Sequence, residues 1–122
     1  RKNGEKLTIV PDGKQSRDFT HVRDVVRANL LASESPHAGK GEVINIVGGN
    51  NKTVLEIAEL IGGPYEFIEP RHEPKHTLAD ISKAKKILGW EPQVKFEDGI
   101  MELKKIFGID ETSLLYTGDV SK

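Results

Sequence analysis

The sequence predicts a mixed α/β lobe in which short strands alternate with about four helices. Apolar residues recur at helical spacing in four segments, and short runs rich in β-branched residues lie between them, bounded by glycine or proline. Strands that alternate with helices are typical of α/β and α+β architectures. The 122 residues suffice for one domain with a modest hydrophobic core.

The first half of the chain is predicted to contain three extended segments and one helix. Residues 7–10 (LTIV) form an apolar strand that ends at the turn sequence PDG, and residues 17–22 alternate well enough for a second extended segment. Apolar residues at helical spacing predict a helix over residues 23–33, with Asp24 capping its start. The β-branched run at residues 42–47 (EVINIV) predicts a buried strand after a loop.

The clearest helix of the sequence follows this run. Thr53 and Glu56 have the spacing of a capping box, in which each residue satisfies a backbone N–H group at the start of the helix. Gly62 and the glycine and proline behind it predict the end of that helix, and a strand begins at Tyr65.

Two more helices are predicted near the end of the chain. Asp80 is placed to cap a short helix that ends at Gly89, and a last helix spans about residues 96–107. Trp90 lies between the two helices, so we expect its ring to pack over both of them.

Composition narrows the classes of function. The net charge is −1 with 30% charged residues, so we expect neither a nucleic-acid partner nor a membrane partner. Cysteine is absent, which rules out disulfides and thiol catalysis and favours a cytoplasmic location. No apolar run approaches 18 residues, and the start lacks the apolar core of a signal peptide. The charged turn before Gly4 is typical of a helix end, which indicates a fragment of a larger protein.

One stretch matches the H-E-x-x-H pattern of zinc peptidases, with His72, Glu73 and His76 at the defining positions. That pattern needs a helix, because only a helix brings both histidines to one face. Pro74 lies between the histidines and disrupts helical geometry. We therefore expect His72 and His76 in a strand or loop and expect no metal site.

Three blocks of sequence, at residues 13–32, 41–49 and 78–100, follow one another at a spacing that resembles the C-terminal third of the NAD-dependent epimerase/dehydratase family. These enzymes are extended short-chain dehydrogenases such as UDP-glucose 4-epimerase. The resemblance implies that residues 1–107 form the nucleotide-sugar-binding lobe of an extended Rossmann-type enzyme. Residues 108–122 lose periodicity and are expected to be a partly disordered tail.

The resemblance also implies what the chain does not carry. In the family, NAD and the catalytic Tyr-x-x-x-Lys pair belong to an N-terminal Rossmann domain, whereas neither Tyr65 nor Tyr116 here has a lysine four positions on. The resemblance therefore assigns no catalytic, cofactor-binding or metal-binding residue to this chain and implies that it is inactive alone. Implied partners are a UDP-sugar or similar nucleotide sugar, the Rossmann domain and a second copy of the chain.

Two arginines match the family positions that reach the diphosphate of the nucleotide sugar. Arg17 in the sequence SRDF matches the first, and Arg71 matches the second. A guanidinium suits this role because it is permanently charged and can contact two phosphate oxygens at once. The alternative for Arg17 is a surface pair with Asp18. The alternative is stronger for Arg71, because its segment lacks the usual glycine and is one residue shorter.

Three further positions match family residues near the nucleotide. Gln15 is a candidate for a ribose or phosphate contact, Leu7 belongs to the segment that approaches the base, and Asn50 lies in a loop that binds nucleotide in some relatives. Leu7 is equally consistent with plain core packing, and Asn50 with a solvated turn.

Two functions from different classes remain open at this stage. The first is the substrate-binding part of an NAD-dependent sugar-nucleotide epimerase, with dehydratase and decarboxylase as alternatives in the same family. The second is a free-standing, non-catalytic ligand-binding module. Neither the sugar nor the choice between uridine and thymidine follows from these residues.

Overall fold

The computed structural model describes residues 1–109, and in this range four helices and four short strands alternate. In chain order they are β1 (Leu7–Ile9), β2 (Ser16–Asp18), α1 (Val22–Glu34), β3 (Asn51–Thr53), α2 (Val54–Ile61), β4 (Tyr65–Phe67), α3 (Ser82–Leu88) and α4 (Phe96–Phe107). The predicted mixed α/β class is confirmed. The tail is predicted to be partly disordered, and its residues from 110 onward lie outside the described range.

The strands form two separate pairs. β1 runs parallel to β4, with Leu7 opposite Tyr65, and β2 runs antiparallel to β3, with Arg17 opposite Lys52. Both pairs are only three residues long, so helices and loops must stabilise them by packing. No helix in the described range is long and apolar enough to cross a membrane.

The main hydrophobic cluster joins α1 to α3. Its buried members are Ala28, Ala84, Leu88 and Trp90. Side chains of the loop between α1 and β3 pack against them. The prediction that Trp90 packs over the last two helices is confirmed for α3 and wrong for α4, because its ring lies in the cluster that joins α1 to α3. Its indole Nε1 donates a hydrogen bond to the Asp24 carbonyl oxygen at 2.9 Å, which fixes the ring against α1.

The sequence analysis predicts that Asp24 caps α1, and this prediction is wrong. The helix begins at Val22, and the His21 Nδ1 caps it by accepting a hydrogen bond from the backbone nitrogen of Arg23 at 3.2 Å. Asp24 is 2% exposed and accepts hydrogen bonds from the backbone nitrogens of Gln93 and Val94, both at 3.0 Å. Burial raises the pKa of Asp24, but these hydrogen bonds and the nearby Arg27 outweigh burial and lower the pKa overall. The carboxylate therefore holds the chain before α4 against α1.

The helices α2 and α4 have the predicted bounds. The Thr53 hydroxyl accepts a hydrogen bond from the Glu56 nitrogen at 3.2 Å, and the Glu56 carboxylate accepts one from the Thr53 nitrogen at 2.7 Å. This capping box also lowers the pKa of Glu56, chiefly through the backbone hydrogen bond from Thr53. Gly62 ends α2 with φ at 82°, a conformation that glycine adopts without strain. At α3 the N-cap residue is Ile81 and not Asp80, so the predicted cap position is wrong by one residue. The Asp80 carboxylate nevertheless accepts a hydrogen bond from the Ser82 nitrogen at 2.8 Å.

The predicted strand at residues 42–47 is absent. Ile44 and Ile46 pack against the main cluster, whereas Val43 is 80% exposed. Within residues 1–109 this segment makes no backbone-to-backbone hydrogen bond, although the Lys83 ammonium donates to the Val43 carbonyl oxygen at 2.7 Å. The alternation of a strand is present, but the described residues supply no neighbouring strand to pair with it.

Candidate functional site

A polar cleft of about 480 Å³ lies between the turn after β1 and the segment that follows β4. Its cationic side chains are Lys14, Arg71 and Lys75, and its acidic ones are Asp12 and Glu73. The remaining lining residues are Pro11, Gln15, His72 and His76. Three lysine and arginine side chains against two carboxylates make the lining favour an anion.

The two predicted arginines converge on one carboxylate at this cleft. Arg71 Nε and Nη2 each lie 2.7 Å from Glu73 Oε1. Arg17 Nη2 approaches the other oxygen of that carboxylate, Oε2, at 3.6 Å, while its Nη1 donates to the Ser16 carbonyl oxygen at 2.8 Å. We call Arg17 and Arg71 the arginine pair. Two guanidinium groups from separate segments thus hold a single anionic group between them.

Backbone contacts hold the second arginine segment beside β2. The Ser16 nitrogen donates to the Lys75 carbonyl oxygen at 2.8 Å, and the Thr77 nitrogen donates to the Ser16 carbonyl oxygen at 3.3 Å. Ser16 and His76 form an isolated parallel bridge. Arg17 directly follows Ser16, so this pairing brings the segment that carries Arg71 beside Arg17.

The H-E-x-x-H stretch is not helical, which confirms the prediction for His72 and His76. Glu73 pairs with the arginines, and the Nδ1 atom of His76 lies 2.7 Å from the Ser16 hydroxyl oxygen. Among the described residues, no group of three or more histidine, aspartate or glutamate side chains is arranged to hold a metal ion. Glu73 and His76 of this pattern therefore make structural contacts in a non-helical segment.

Gln15 lines the same cleft and is largely buried. Its Nε2 donates to the Val10 carbonyl oxygen at 3.0 Å, which leaves Oε1 without a hydrogen-bond partner among residues 1–109. A buried acceptor without a partner is costly, so this oxygen is the atom that a donor group of a ligand would satisfy. Gln15 thus lies beside Arg71 in the lining of the cleft, and its predicted ribose or phosphate contact stays a prediction.

Leu7 and Asn50 lie elsewhere. Leu7 lines a separate apolar cavity of about 300 Å³ together with Ile61 and Phe107. Asn50 lines a third cavity of about 140 Å³, and its Nδ2 donates to the Gly48 carbonyl oxygen at 3.3 Å. The structure therefore brings three of the five candidate residues close to one another, and the nucleotide contacts of all five stay predictions.

Sequence reasoning missed two contributors to the cleft. Glu73 was considered only as part of a zinc pattern, although its spacing of two residues from Arg71 permits the observed ion pair. Ser16 carries no chemical signal of its own, and its importance comes from pairing with a segment 60 residues away.

Comparison with known proteins identifies the family. The family model described as GDP-mannose 4,6 dehydratase matches residues 1–103. UDP-glucuronate 4-epimerase of Thermodesulfobacterium geofontis is 41% identical over 102 residues, which cover 77% of this chain and 31% of the relative. UDP-glucuronic acid decarboxylase 6 of Arabidopsis thaliana is 35% identical over 114 residues, covering 85% of this chain and 32% of the relative.

A solved structure agrees with these relatives. The UDP-glucuronic acid 4-epimerase of Bacillus cereus, in complex with UDP-glucuronic acid and NAD, superposes with a TM-score of 0.77 at 35% identity, covering 87% of this chain and 36% of the epimerase. The chain belongs to the GDP-mannose 4,6 dehydratase family, within the NAD-dependent epimerases and dehydratases, which confirms the resemblance described above. It spans about a third of the length of these relatives.

Proposed function

We propose that this chain is the diphosphate-binding part of an NAD-dependent sugar-nucleotide epimerase that resembles UDP-glucose 4-epimerase. The observation that carries the proposal is the convergence of the arginine pair on the Glu73 carboxylate. Guanidinium groups that contact the two oxygens of one carboxylate can also contact phosphate oxygens, which carry more charge. The similar epimerase of Bacillus cereus binds UDP-glucuronic acid, which supports a UDP-sugar as the ligand here.

We assign the redox chemistry to the part of the whole enzyme that lies outside this sequence. NAD would remove hydride from the sugar, and the proton-transfer pair of the family has no counterpart at Tyr65 or Tyr116. The residues of this chain bind and orient the diphosphate, which fixes the sugar relative to the reacting groups. We therefore expect the chain alone to give no turnover of UDP-glucose with NAD.

A decarboxylase or dehydratase is the second candidate for the whole enzyme. The similarity to an Arabidopsis UDP-glucuronic acid decarboxylase is a specific reason to retain it. The proposed contacts address the diphosphate, which is common to the substrates of all these reactions. The assignment of the arginine pair is therefore the same for each of them.

The direct test is a titration of the chain with UDP, followed through backbone amide shifts by NMR. We expect shifts around the polar cleft and a Kd in the millimolar range, about −4 kcal/mol, because the chain supplies only part of the site. Arg17→Ala or Arg71→Ala removes a charge-assisted contact of about 1.5–3 kcal/mol and should weaken binding tenfold or more.

The matched control is Arg23→Ala. Arg23 is an exposed arginine that pairs with Glu102 on α4, away from the polar cleft. Its removal should change UDP affinity less than twofold. Equal losses from all three variants would indicate nonspecific attraction of an anion, and the absence of UDP-induced shifts at the cleft would contradict the proposed function.

A further inference from the structure

The hydrogen bond between Ser16 and His76 connects the two segments that carry the arginine pair. Ser16 Oγ and His76 Nδ1 are 2.7 Å apart, and the residues are separated by 60 positions in sequence. Ser16 directly precedes Arg17, whereas His76 ends the segment that begins with Arg71. Together with the backbone bridge between the same two residues, this side-chain contact sets the distance between the two segments.

A serine hydroxyl beside a histidine nitrogen is also the arrangement of a hydrolytic nucleophile and its base. Ser16 does not fit that role, because the residue is 4% exposed and both of its backbone groups are engaged in the bridge to residues 75–77. A substrate carbonyl cannot approach its Oγ without opening the bridge. The contact is therefore positional, and its effect must pass through neighbouring groups.

We propose that His76 is a positioning residue whose hydrogen bond to Ser16 sets the spacing of the arginine pair and thereby selects a diphosphate over a monophosphate. This inference rests on the proposed function of the cleft. A diphosphate presents oxygens on two phosphorus atoms, so it gains most when both guanidinium groups are held at a fixed separation. A monophosphate can be bound by one arginine and depends less on that separation.

The spacing has few other constraints on the side of Arg71. The Arg71 side chain is 67% exposed and contacts Glu73 within its own segment. Arg17 reaches the same carboxylate at 3.6 Å, a distance longer than that of a direct hydrogen bond. The bridge at Ser16 and His76, with the backbone hydrogen bonds beside it, therefore relates the segment of Arg71 to β2 more closely than the Arg17–Glu73 pair does.

The experiment compares UDP and UMP affinity by NMR titration for a set of variants of the whole 122-residue chain. His76→Ala should weaken UDP binding about fivefold and UMP binding less than twofold, so that the UDP-to-UMP preference falls. His76→Asn should restore most of the preference, because its side-chain oxygen can accept the hydrogen bond of the Ser16 hydroxyl. His37→Ala, in an exposed loop, is the matched control and should change neither affinity.

A double-mutant cycle separates this role from general loss of structure. Ser16→Ala should reproduce the effect of His76→Ala, and the double variant should lose no more than either single variant. Amide hydrogen exchange of Thr77, whose nitrogen donates to Ser16, should accelerate about fivefold in both single variants without any ligand present.

The outcomes for the two proposals are distinct. Wild-type UDP binding that depends on the arginine pair, with an unchanged UDP-to-UMP preference in His76→Ala, would overturn the positioning role and leave the proposed function intact. Additive losses in the cycle, or unchanged Thr77 exchange, would also overturn it. A wild-type chain that binds no UDP would overturn both proposals.

Discussion

The indole nitrogen of Trp90 donates a hydrogen bond to the carbonyl oxygen of Asp24, 2.9 Å away and 66 residues earlier in the chain. The Asp24 carboxylate in turn accepts hydrogen bonds from the backbone of Gln93 and Val94, three and four residues beyond the tryptophan. Asp24 of α1 thus holds both ends of the connection between α3 and α4. Between them, the Arg27 guanidinium, also of α1, donates to the Glu91 carbonyl oxygen.

Replacing Trp90 should show how much the ring and its hydrogen bond together contribute to stability. Trp90→Phe removes the donor and part of the ring and should lower the free energy of unfolding by about 1–3 kcal/mol. Trp90→Ala leaves a larger cavity among Ala28, Ala84 and Leu88 and should cost about 3–5 kcal/mol. Urea unfolding followed by far-UV circular dichroism measures both values.

The control for this series is Tyr65→Phe, a surface aromatic substitution that should stay within about 0.5 kcal/mol of wild type. A Trp90→Phe variant as stable as wild type would show that neither the hydrogen bond nor the indole volume contributes to folding.

Asp24 should make stability depend on pH. Its pKa is lower in the folded state than in the unfolded chain, where an aspartate titrates near about 3.9. The stabilisation is therefore fully present above the unfolded pKa and is lost as pH falls through the folded pKa. We expect wild type to lose more unfolding free energy than Asp24→Asn between about pH 6 and pH 3, measured by urea unfolding at each pH.

Other carboxylates contribute to acid unfolding, so only the difference between variants is informative. Asp98→Asn, in the exposed first turn of α4, is the matched control, because it makes the same substitution at a surface carboxylate. At neutral pH, Asp24→Ala should cost about 2–4 kcal/mol, because the nitrogens of Gln93 and Val94 lose their acceptor. Parallel profiles for wild type and Asp24→Asn would contradict this account.

The capping box at α2 gives a third prediction. Thr53→Ala removes the hydroxyl that accepts from the Glu56 nitrogen and should lower the free energy of unfolding by about 1 kcal/mol. Thr53→Ser keeps the acceptor and should retain most of that stability. Thermal unfolding compares the two variants directly, and equal melting temperatures for Ala and Ser would show that the cap does not stabilise the chain.

The features that sequence predicted correctly are those with local signals. The capping box of Thr53 and Glu56 lies within four residues, and the apolar period of α4 lies within twelve. The role of Asp24 could not be predicted, because its partners lie about 70 residues away and a helix-start aspartate is more often a cap. The prediction of a strand at residues 42–47 is wrong for a related reason, because an alternating segment forms a strand only where a partner strand exists.

The candidate site also contains residues that sequence could name and distant contacts that it could not. Arg17 and Arg71 were selected by resemblance, and the structure brings both to Glu73. The pairing of Ser16 with His76 depends on a register between distant segments, which no local pattern encodes. Sequence could therefore name the charged residues of the cleft but not the contacts that hold them at their spacing.

The final prediction concerns an apolar stripe on the outer face of α1. Val22, Val26 and Leu30 follow one another at intervals of four residues, and they are 68%, 51% and 59% exposed. Residues four apart lie on one face of a helix, so these side chains form a continuous apolar surface. We call it the α1 stripe. Surfaces of this kind mark sites of association.

We expect the isolated chain to self-associate through the α1 stripe in a symmetric dimer, in which the same surface is contributed by both copies. Val26→Glu combined with Leu30→Lys should abolish association, because it places charges in the contact. The glutamate lies four residues before the lysine, an arrangement that favours the helix and preserves the fold.

The control is Val43→Glu, which introduces a charge at a highly exposed position outside α1 and should leave association unchanged. Light scattering over a range of concentrations gives the mass of each variant. A wild-type chain that stays monomeric at high concentration, or equal association by both variants, would contradict this role for the α1 stripe.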